Sequence, residues 1–332
     1  MFTIAELGQA HEGSLGMAHS YIDALADTGV DAIKFQTHLA DAESSLHEPF
    51  RVKFSFEDST RYDYWKRMEF SFNQWKELKE HCDEKKIEFI SSPFSNSAVD
   101  LLEAVGVKRY KIGSGEVNNF LLLRKIAETG KPIILSSGLS SFEELEDSVK
   151  FLKKYNIELS ILQCTTAYPT APEEWGLNLI PELKRRFNVP VGFSDHSGSI
   201  AACIAASAVG AEIFEFHAVF DKRMFGPDSK ASLTMKQISS LIEHLKHVER
   251  AKNHPGDKNS SPEKEKLKSI FEKSLAVNRE VKKGEVITFE MLEGKKPKGF
   301  GIDAFKFEAV IGKRVNRDLD KWDFLTEDAI HE

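Results

Sequence analysis

The sequence is poor in cysteine, in basic charge and in long apolar runs, and each shortage excludes a class of protein. Its 332 residues include only 3 cysteines, an odd number that does not suit a disulfide framework and favours a reducing cytoplasm. The 45 Lys and Arg are outnumbered by 52 Asp and Glu, so a nucleic-acid binder with a basic footprint is excluded. No apolar run approaches the roughly 18 residues that cross a bilayer, and no secretory signal pattern is visible. We therefore expect a cytoplasmic globular protein without a membrane or nucleic-acid partner.

Short β-rich segments alternate with amphipathic helical segments over the first 250 residues. The eight predicted strands are residues 2–7, 32–37, 88–94, 109–114, 132–137, 157–166, 189–196 and 212–219. Helical patterns separate them, and Ser14 and the pair Ser141 and Glu144 are typical N-terminal capping residues. Strands that alternate with helices form parallel crossover units, and eight such units predict a closed TIM (β/α)8 barrel in the α/β class. A doubly wound open sheet is the alternative that a strand count leaves open.

Two regions depart from this alternation. Residues 38–67 are too long for an ordinary βα loop, so they are either a lid or substrate wall, or a packed surface excursion. After residue 250 the strands become short and are separated by turns such as Lys283-Gly284-Glu285. The predicted organisation is a barrel over residues 1–250, a linker over residues 251–270 and a small, mostly β domain over residues 271–332.

Polar residues gather at the C-terminal ends of the predicted strands, where TIM barrels place their active sites. Two lysines, Lys34 and Lys111, lie there among several hydroxyls, which suits a small phosphorylated anion. Other polar residues at these ends are Glu6, Gln36, Ser91, Ser92, Ser114, Glu116, Ser136, Ser137, Thr165, Thr166, Ser194, Asp195 and Glu215. Any one Ser or Thr could merely occupy a tight turn, but five strands agree.

His196 and His217 are the candidate metal ligands. They end the seventh and eighth predicted strands, which are neighbours in a barrel, so their imidazoles could converge. Two imidazoles completed by water and substrate oxygens suit a borderline divalent ion such as Mn²⁺. A single histidine on a strand is more often structural, and Cys164 is interpreted as a core residue.

Eight motifs occur in one order and together resemble the sialic acid (N-acetylneuraminate) synthase family. They are Ala5-Glu6-Leu7-Gly8, Lys34-Phe35-Gln36-Thr37, Ser91-Ser92-Pro93-Phe94, Lys111-Ile112-Gly113-Ser114-Gly115-Glu116, Leu135-Ser136-Ser137-Gly138, Gln163-Cys164-Thr165-Thr166-Ala167-Tyr168-Pro169, Gly192-Phe193-Ser194-Asp195-His196 and Gly226-Pro227-Asp228. The tail, with Lys283-Gly284-Glu285 and Gly312-Lys313-Arg314, is similar to that family's antifreeze-like (SAF) domain. The resemblance covers nearly the whole chain.

The resemblance implies an enzyme that condenses phosphoenolpyruvate with an N-acylated sugar aldehyde. The positions that match its phosphoenolpyruvate site are Lys34, Ser92, Lys111, Ser114, Ser136, Thr166 and Ser194. His196 and His217 match the ligands of Mn²⁺, for which Mg²⁺ or Co²⁺ could substitute, and Glu6 and Glu215 match catalytic acidic residues beside the metal. The positions that match the sugar site are Gln36, Glu116, Tyr168, Asp228 and Lys296. Gln36 and Glu116 also match catalytic residues. The family further implies a homodimer in which the SAF domain of one subunit covers the active site of the other.

The chain departs from the family pattern at three of these positions. Ser92 stands where Thr is usual and Thr166 where Asn is frequent, and both keep a hydrogen-bond donor. Lys296 stands where the family has an arginine, so it keeps the charge but lacks the planar bidentate fork. The acceptor sugar is left open between N-acetylmannosamine and a 2,4-diacetamido sugar, and the motifs lean towards the legionaminic acid type.

Two other functions are compatible with the sequence. A synthase of another 2-keto-3-deoxy sugar acid would use the same chemical logic on a phosphorylated sugar. A non-catalytic sugar-binding protein would use the barrel as a scaffold, although Lys34, Lys111, His196 and His217 would then have no purpose. Phosphate release from phosphoenolpyruvate separates these possibilities.

Overall fold

Eight parallel strands close on themselves in the part of the chain that the structure, a computed structural model, describes: residues 1–52, 54 and 56–332. The strands are β1 Phe2–Gly8, β2 Ala32–Thr37, β3 Glu88–Pro93, β4 Tyr110–Ile112, β5 Ile133–Ser136, β6 Leu159–Cys164, β7 Val191–Asp195 and β8 Ile213–Val219. Each strand pairs with the next, and β1 pairs in parallel with both β2 and β8. The predicted TIM barrel is therefore confirmed, and the open doubly wound sheet is excluded. A two-residue strand, β9 Leu233–Thr234, pairs with β8 beyond the barrel.

The helices of this first unit connect the strands. They are α1 Leu15–Ala26, α2 Ala40–Glu43, α3 Arg61–Met68, α4 Phe72–Glu84, α5 Asn96–Val105, α6 Phe120–Ala127, α7 Phe142–Lys153, α8 Leu179–Phe187, α9 Ile200–Ala208 and α10 Met235–Asn253. Ser14 caps α1 by accepting from the Met17 N–H, and Ser141 with Glu144 forms the predicted capping box of α7. Within the described residues, no helix is long and apolar enough to cross a membrane.

The long segment after β2 contains two of these helices, and its residues 53 and 55 lie outside the described part of the chain. Tyr64, Trp65 and Met68 of α3 are buried with Ala40 of α2 in a small cluster of their own. The capping box between Thr60 and Asp63 explains why α3 begins at Arg61. The segment therefore has local structure that can hold side chains in place.

Side chains that point into the barrel change from apolar to polar along the strands. Its floor is one buried layer made of Ile4, Ala32, Ile90, Ile134 and Leu162. Because side chains alternate along a strand, the residue two positions further on faces the same side. That step leads from the floor to Glu6, Lys34, Ser92, Ser136 and Cys164. The register of the barrel thus places a ring of polar groups directly above an apolar floor.

The second unit spans Gly256–Glu332, whereas the barrel unit spans Met1–Pro255. It begins with α11 Pro262–Phe271, so much of the stretch predicted as a linker is helical. Its short strands form two antiparallel pairs, β10 Ser274–Val277 with β11 Leu292–Lys295 and β12 Arg314–Val315 with β13 Ile330–His331. Its own apolar core contains Leu275, Val277, Val281, Ile287, Ile302, Val310, Val315, Leu319, Leu325 and Ala329. A small, mostly β unit therefore follows the barrel.

Gly192 in β7 is expected to be intolerant of any side chain. A Cβ atom there would lie 2.3 Å from the Ile213 carbonyl oxygen and 2.6 Å from the Leu162 side chain. Overpacking a core of this kind costs typically 1–3 kcal/mol, so Gly192→Ala should destabilise the barrel by about 2 kcal/mol or more. Chemical unfolding followed by tryptophan fluorescence measures this, because Trp65, Trp75 and Trp175 belong to the barrel.

The matched control is Gly16→Ala in α1, where an added Cβ meets nothing within 4 Å. Alanine in a helix interior is favoured over glycine by roughly 0.5–1 kcal/mol, so this variant should be as stable as the original chain or more stable. Equal unfolding midpoints for the two variants would contradict the tight packing assigned to Gly192.

Candidate active site

One cavity of about 430 Å³ opens at the C-terminal ends of the barrel strands. The residues predicted as site residues within residues 1–255 all line it: Glu6, Lys34, Gln36, Ser92, Lys111, Ser114, Glu116, Ser136, Thr166, Tyr168, Ser194, His196, Glu215, His217 and Asp228. Seven of the eight barrel strands contribute residues directly, and the segments after β4, β6, β7 and β8 supply the others. The barrel thus brings these residues together from positions up to 222 residues apart in the sequence.

Lys34 is the centre of a buried charge network. Its Nζ lies 2.5 Å from Oε1 of Glu6 and 3.7 Å from Oε2 of Glu215, and all three side chains are at most 5% exposed. Burial by itself lowers the pKa of Lys34, but the carboxylates of Glu215 and Glu6 outweigh it and raise that pKa. Burial raises the pKa of Glu6, but the Lys34 ammonium overcomes this effect, so the pKa of Glu6 falls well below its usual range. The network therefore carries full charges inside the barrel.

Lys111 extends this network to the other side of the cavity. Its Nζ lies 3.2 Å from Oε1 of Glu215 and donates to the Ser136 hydroxyl at 2.7 Å. The Ser194 hydroxyl donates to the same Glu215 oxygen at 2.9 Å. Glu215 consequently lies between the two lysines and holds both ammonium groups near one point.

Small polar groups of Ser92, Ser114, Gly138 and Thr166 form a cradle near these lysines. The Gly138 N–H donates to the Ser114 hydroxyl at 3.1 Å, and a Cβ atom at Gly138 would lie 2.6 Å from Oγ1 of Thr166. The hydroxyls of Ser92 and Thr166 are buried without a hydrogen-bond partner among the described residues. Buried hydroxyls are normally paired, so two unpaired ones beside two ammonium groups indicate a site built for an anion.

His196 and His217 lie side by side at the ends of β7 and β8, with ring centroids 5.4 Å apart. The Nδ1 atom of His196 is 2.8 Å from the Thr165 carbonyl oxygen, which fixes Nδ1 as the donor and leaves the lone pair on Nε2, the atom that could bind a metal. Nε2 of His217 lies 3.3 Å from Oε2 of Glu6. No group of three or more His, Cys, Asp or Glu side chains among the described residues forms a complete ligand set. A metal ion held by this pair would need its remaining ligands from water or substrate.

Residues from four different loops line the part of the cavity next to His196 and beyond it. Tyr168 stacks on His196 with a centroid distance of 4.1 Å, and its hydroxyl lies 3.2 Å from Nε2 of that histidine. The Arg51 guanidinium lies 4.1 Å above the Tyr168 ring and 2.6 Å from Oδ1 of Asp228. Glu116 accepts from the Asn119 amide at 2.7 Å, and burial raises the pKa of its carboxyl group. This part of the cavity can form hydrogen bonds in several directions, as a sugar requires.

The remaining predicted site residue, Lys296, belongs to the second unit. Within that unit its Nζ lies 5.1 Å from the centroid of the Phe271 ring. Cys164 is buried as predicted, but it also lines the cavity, with its Sγ 3.9 Å from Nδ1 of His196.

Sequence reasoning assigned no individual role to Gln9, His38, Glu43 and Arg51, which line the cavity, or to Gly138, which packs against Ser114 and Thr166. His38, Glu43 and Arg51 belong to the segment for which a substrate wall was one of two predictions. His38 follows β2 directly, so inspection one residue beyond the strand end would have included it. Gly138 lies in a motif that was recognised, although only the packing shows why it must be glycine. Arg51 carries no such signal, because its place on the cavity depends on the course of the long segment after β2.

Buried lysine–carboxylate pairs and a histidine pair at the mouth of a TIM barrel define an enzyme. The model of the NeuB family matches residues 21–259. The chain is 34% identical to the N,N'-diacetyllegionaminic acid synthase of Campylobacter jejuni over 98% of both chains. It is 34% identical to a pseudaminic acid synthase of the same species over 98% of this chain and 96% of that one.

Among solved structures, the N-acetylneuraminic acid synthetase of Leptospira borgpetersenii, in complex with citrate, has a TM-score of 0.72 and 32% identity. The match covers 80% of this chain and 90% of that chain. The chain belongs to the NeuB family. The predicted family resemblance and the prediction of an enzyme are thereby confirmed.

Proposed function

We propose that this enzyme condenses phosphoenolpyruvate with an N-acylated aldose to give a nonulosonic acid and phosphate. The observation that carries the proposal is that Lys34 and Lys111 converge on Glu215 in a cavity that two unpaired buried hydroxyls, Ser92 and Thr166, also line. Phosphoenolpyruvate carries a phosphate and a carboxylate, so it offers acceptor oxygens to all four donors. The sialic, legionaminic and pseudaminic acid synthases among the relatives support the same class of product.

The carboxylates of the site have a defined part in this chemistry. Glu6 and Glu215 form ion pairs with the two lysines before the substrate arrives, so that the ammonium groups are already in place. Phosphoenolpyruvate then receives charge-assisted hydrogen bonds from Lys34, Lys111 and the surrounding hydroxyls. Such preorganised charge stabilises the negative charge that develops as the phosphate departs.

The reaction forms one carbon–carbon bond and one carbon–oxygen bond, and it breaks the carbon–oxygen bond to phosphate. Carbon 3 of phosphoenolpyruvate bonds to the aldehyde carbon, whose oxygen gains a proton and becomes a hydroxyl group. Water adds at carbon 2, and the bond between carbon 2 and the phosphate oxygen breaks. Of the two protons of water, one ends on the aldehyde oxygen and the other leaves with phosphate, while carbon 2 becomes a ketone. Glu6 and Lys34, 2.5 Å apart beside the histidines, can hold and move the protons at this end. Gln36, Glu116, Tyr168 and Asp228 would bind and orient the sugar.

A divalent cation, Mn²⁺ in the first instance, would be held by Nε2 of His196 and of His217. The donor set fits, because the Thr165 carbonyl fixes the His196 tautomer and two borderline nitrogen ligands leave positions for oxygen. When bound, the cation supplies Lewis-acid polarisation of the sugar carbonyl. Mg²⁺ and Co²⁺ are the alternatives.

We also propose that the small unit contributes to the sugar site as part of a domain-swapped homodimer. It exposes several large aromatic side chains, among them Phe289, Phe300, Phe305 and Trp322. Exposed aromatic side chains of this number are typical of a surface that meets a partner. Lys296 would then contact the sugar as a single ammonium group in place of a guanidinium fork.

Phosphate release from phosphoenolpyruvate tests the function. We expect Mn²⁺-dependent release with N-acetylmannosamine or a 2,4-diacetamido sugar, and none with a phosphorylated aldose that lacks an N-acyl group. Turnover only with the phosphorylated aldose would favour another 2-keto-3-deoxy sugar acid synthase. Absence of release with all acceptors would leave the sugar-binding alternative.

Gly138→Ala tests the cradle. The new methyl group would lie within 2.7 Å of both the Ser114 and Thr166 hydroxyl oxygens and would displace them from the anion. We expect the phosphoenolpyruvate KM to rise by about tenfold or more, which corresponds to roughly 1.4 kcal/mol. Steady-state kinetics at saturating sugar measures it, with Gly16→Ala as control. An unchanged KM would refute the assignment of the cradle to the anion.

His217→Ala tests the metal site. We expect this variant to lose Mn²⁺-dependent turnover and one bound Mn²⁺ per chain, because the His196 imidazole alone cannot hold the ion. Its thermal unfolding should stay cooperative. Calorimetric titration with Mn²⁺ provides a readout that is independent of activity. Exposed His254 is the control, and its replacement by Ala should leave Mn²⁺ binding unchanged. Full turnover of His217→Ala at limiting Mn²⁺ would exclude it as a ligand.

Lys296→Ala tests the role of the second unit. We expect the sugar KM to rise more than the phosphoenolpyruvate KM, because the lost ammonium group would contact the sugar alone. Lys306→Ala removes another ammonium group that lies beside an aromatic ring of the same unit, and it should change neither constant. Equal effects of Lys296→Ala on both KM values would count against a sugar contact.

A further inference from the structure

His38 lies one residue beyond β2, clamped between two aromatic rings. The Trp65 ring is 3.8 Å from the imidazole centroid at an interplanar angle of 16°, and the Phe94 ring is 4.5 Å away at 9°. Only 3% of the His38 side chain is exposed, and its edge lines the cavity. The sandwich fixes the plane of the imidazole, so any remaining freedom is rotation within that plane.

Glu43 removes this remaining freedom. Its Oε1 lies 2.5 Å from Nδ1 of His38, and its Oε2 accepts from the backbone N–H of Leu39 at 3.2 Å. Because both oxygens are engaged and the side chain is 8% exposed, the carboxylate is itself held in place. His38 therefore presents one defined atom, Nε2, to the cavity.

The Nε2 atom of His38 meets two side-chain amides. It lies 3.1 Å from Oε1 of Gln36 and 3.1 Å from Nε2 of Gln9, and the Gln9 amide also donates to that Gln36 oxygen. A neutral imidazole can accept from Gln9, whereas an imidazolium can donate to Gln36 with its charge balanced by Glu43. The hydrogen bond to Gln36 is therefore direct only when the ring is charged; when the ring is neutral, the Gln9 amide links it to the Gln36 oxygen by donating to both.

These contacts determine which way the Gln36 amide faces. With its oxygen towards His38 and Gln9, its NH₂ group donates to Oε1 of Glu6 at 2.7 Å. A flipped amide would set its oxygen against the Glu6 carboxylate, so that a hydrogen bond would be replaced by repulsion between two acceptors. Glu6 is the carboxylate that pairs with Lys34 and approaches His217.

We propose that His38 is a positioning residue, held by Glu43, that fixes the Gln36 amide and through it the Glu6 carboxylate at the reacting end of the cavity. This inference rests on the proposed function for its kinetic consequence. Positioning partners behind a reactive group are typically worth 10- to 100-fold in activity. The Glu43–His38–Gln36–Glu6 chain links the long segment after β2 to the centre of the site.

A pair of substitutions at His38 separates positioning from packing. Gln reaches about as far as the Nε2 atom of His and can still meet Gln36, whereas Asn reaches only about as far as Nδ1 and can meet Glu43 alone. Both leave the aromatic sandwich similarly underfilled. We expect His38→Asn to lower kcat by about 10- to 100-fold with the phosphoenolpyruvate KM within about twofold, and His38→Gln to restore much of the loss. Equal losses of kcat in both variants would overturn the positioning role.

Glu43→Gln probes the next link. An amide cannot accept from both the Leu39 N–H and the His38 Nδ1–H, so one of the two contacts must be lost. We expect kcat to fall by about tenfold, again with little change in the phosphoenolpyruvate KM. Wild-type kcat in both Glu43→Gln and His38→Asn would overturn the proposal.

His11 provides a matched control. It is as buried as His38 and packs against Phe70 at 4.7 Å, but among the described residues its Nδ1 accepts from the Gly13 N–H, at 3.0 Å, and from no member of the Gln36–Glu6 pair. His11→Asn should therefore affect stability and leave kcat unchanged. A kcat loss in His11→Asn equal to that in His38→Asn would assign both effects to packing.

A readout without turnover distinguishes this proposal from the proposed function. The side-chain amide resonances of Gln36, followed by ¹H–¹⁵N NMR spectroscopy of the full chain, should shift in His38→Asn and stay in place in His11→Asn. If the wild-type chain turns over no acceptor, the proposed function fails, and these resonances alone decide the positioning role. Unchanged Gln36 resonances in His38→Asn would overturn it whatever the reaction.

Discussion

The site depends on charges that are buried together above an apolar floor. Burial alone lowers the pKa of Lys34, and the carboxylates of Glu215 and Glu6 reverse this effect. Glu6 and Glu215 lie 2.5–3.7 Å from the ammonium groups of Lys34 and Lys111. A buried pair of this kind contributes little to stability, since desolvation offsets much of the attraction. In the proposed reaction, its role is to hold the cations in place before the anionic substrate binds.

The fold could be predicted because its signals are local and periodic. Eight β-rich segments separated by amphipathic helices specify a barrel once the helices force the strands to be parallel. The strand ends were less accurate: residues 109–114 were predicted as a strand, but β4 is only Tyr110–Ile112. Gly113 leaves the sheet there and a 3-10 turn, Ser114–Glu116, begins. Strand ends that turn towards a cavity lose the alternation on which the prediction relied.

Those parts of the site that lie at strand ends could be predicted for the same reason, because they follow from the local strand pattern. Residues at strand ends, such as Lys34 and His217, could be grouped from the sequence because the barrel places all such ends at one rim. Contacts made by loops could not be grouped in this way. The Glu43–His38 pair needs the short helix α2, and Arg51 reaches Asp228 across 177 residues of sequence. No sequence periodicity predicts such contacts, because they depend on the path that the long segment after β2 takes in the folded chain.

In the barrel strands that form the floor, the residue of the polar ring lies two positions after the apolar residue of the floor. This fixed spacing constrains the strands but not the loops, so the two can change independently. A single insertion within a barrel strand would turn Lys34 or Ser92 from the cavity to the outer face, so the strands can vary in side chain but not in length. The segment after β2 and the loops that carry Tyr168 and Asp228 have no such restriction. Loop residues can therefore change what the mouth of the cavity presents to a ligand, while the buried lysines and carboxylates are kept in place by the strand register.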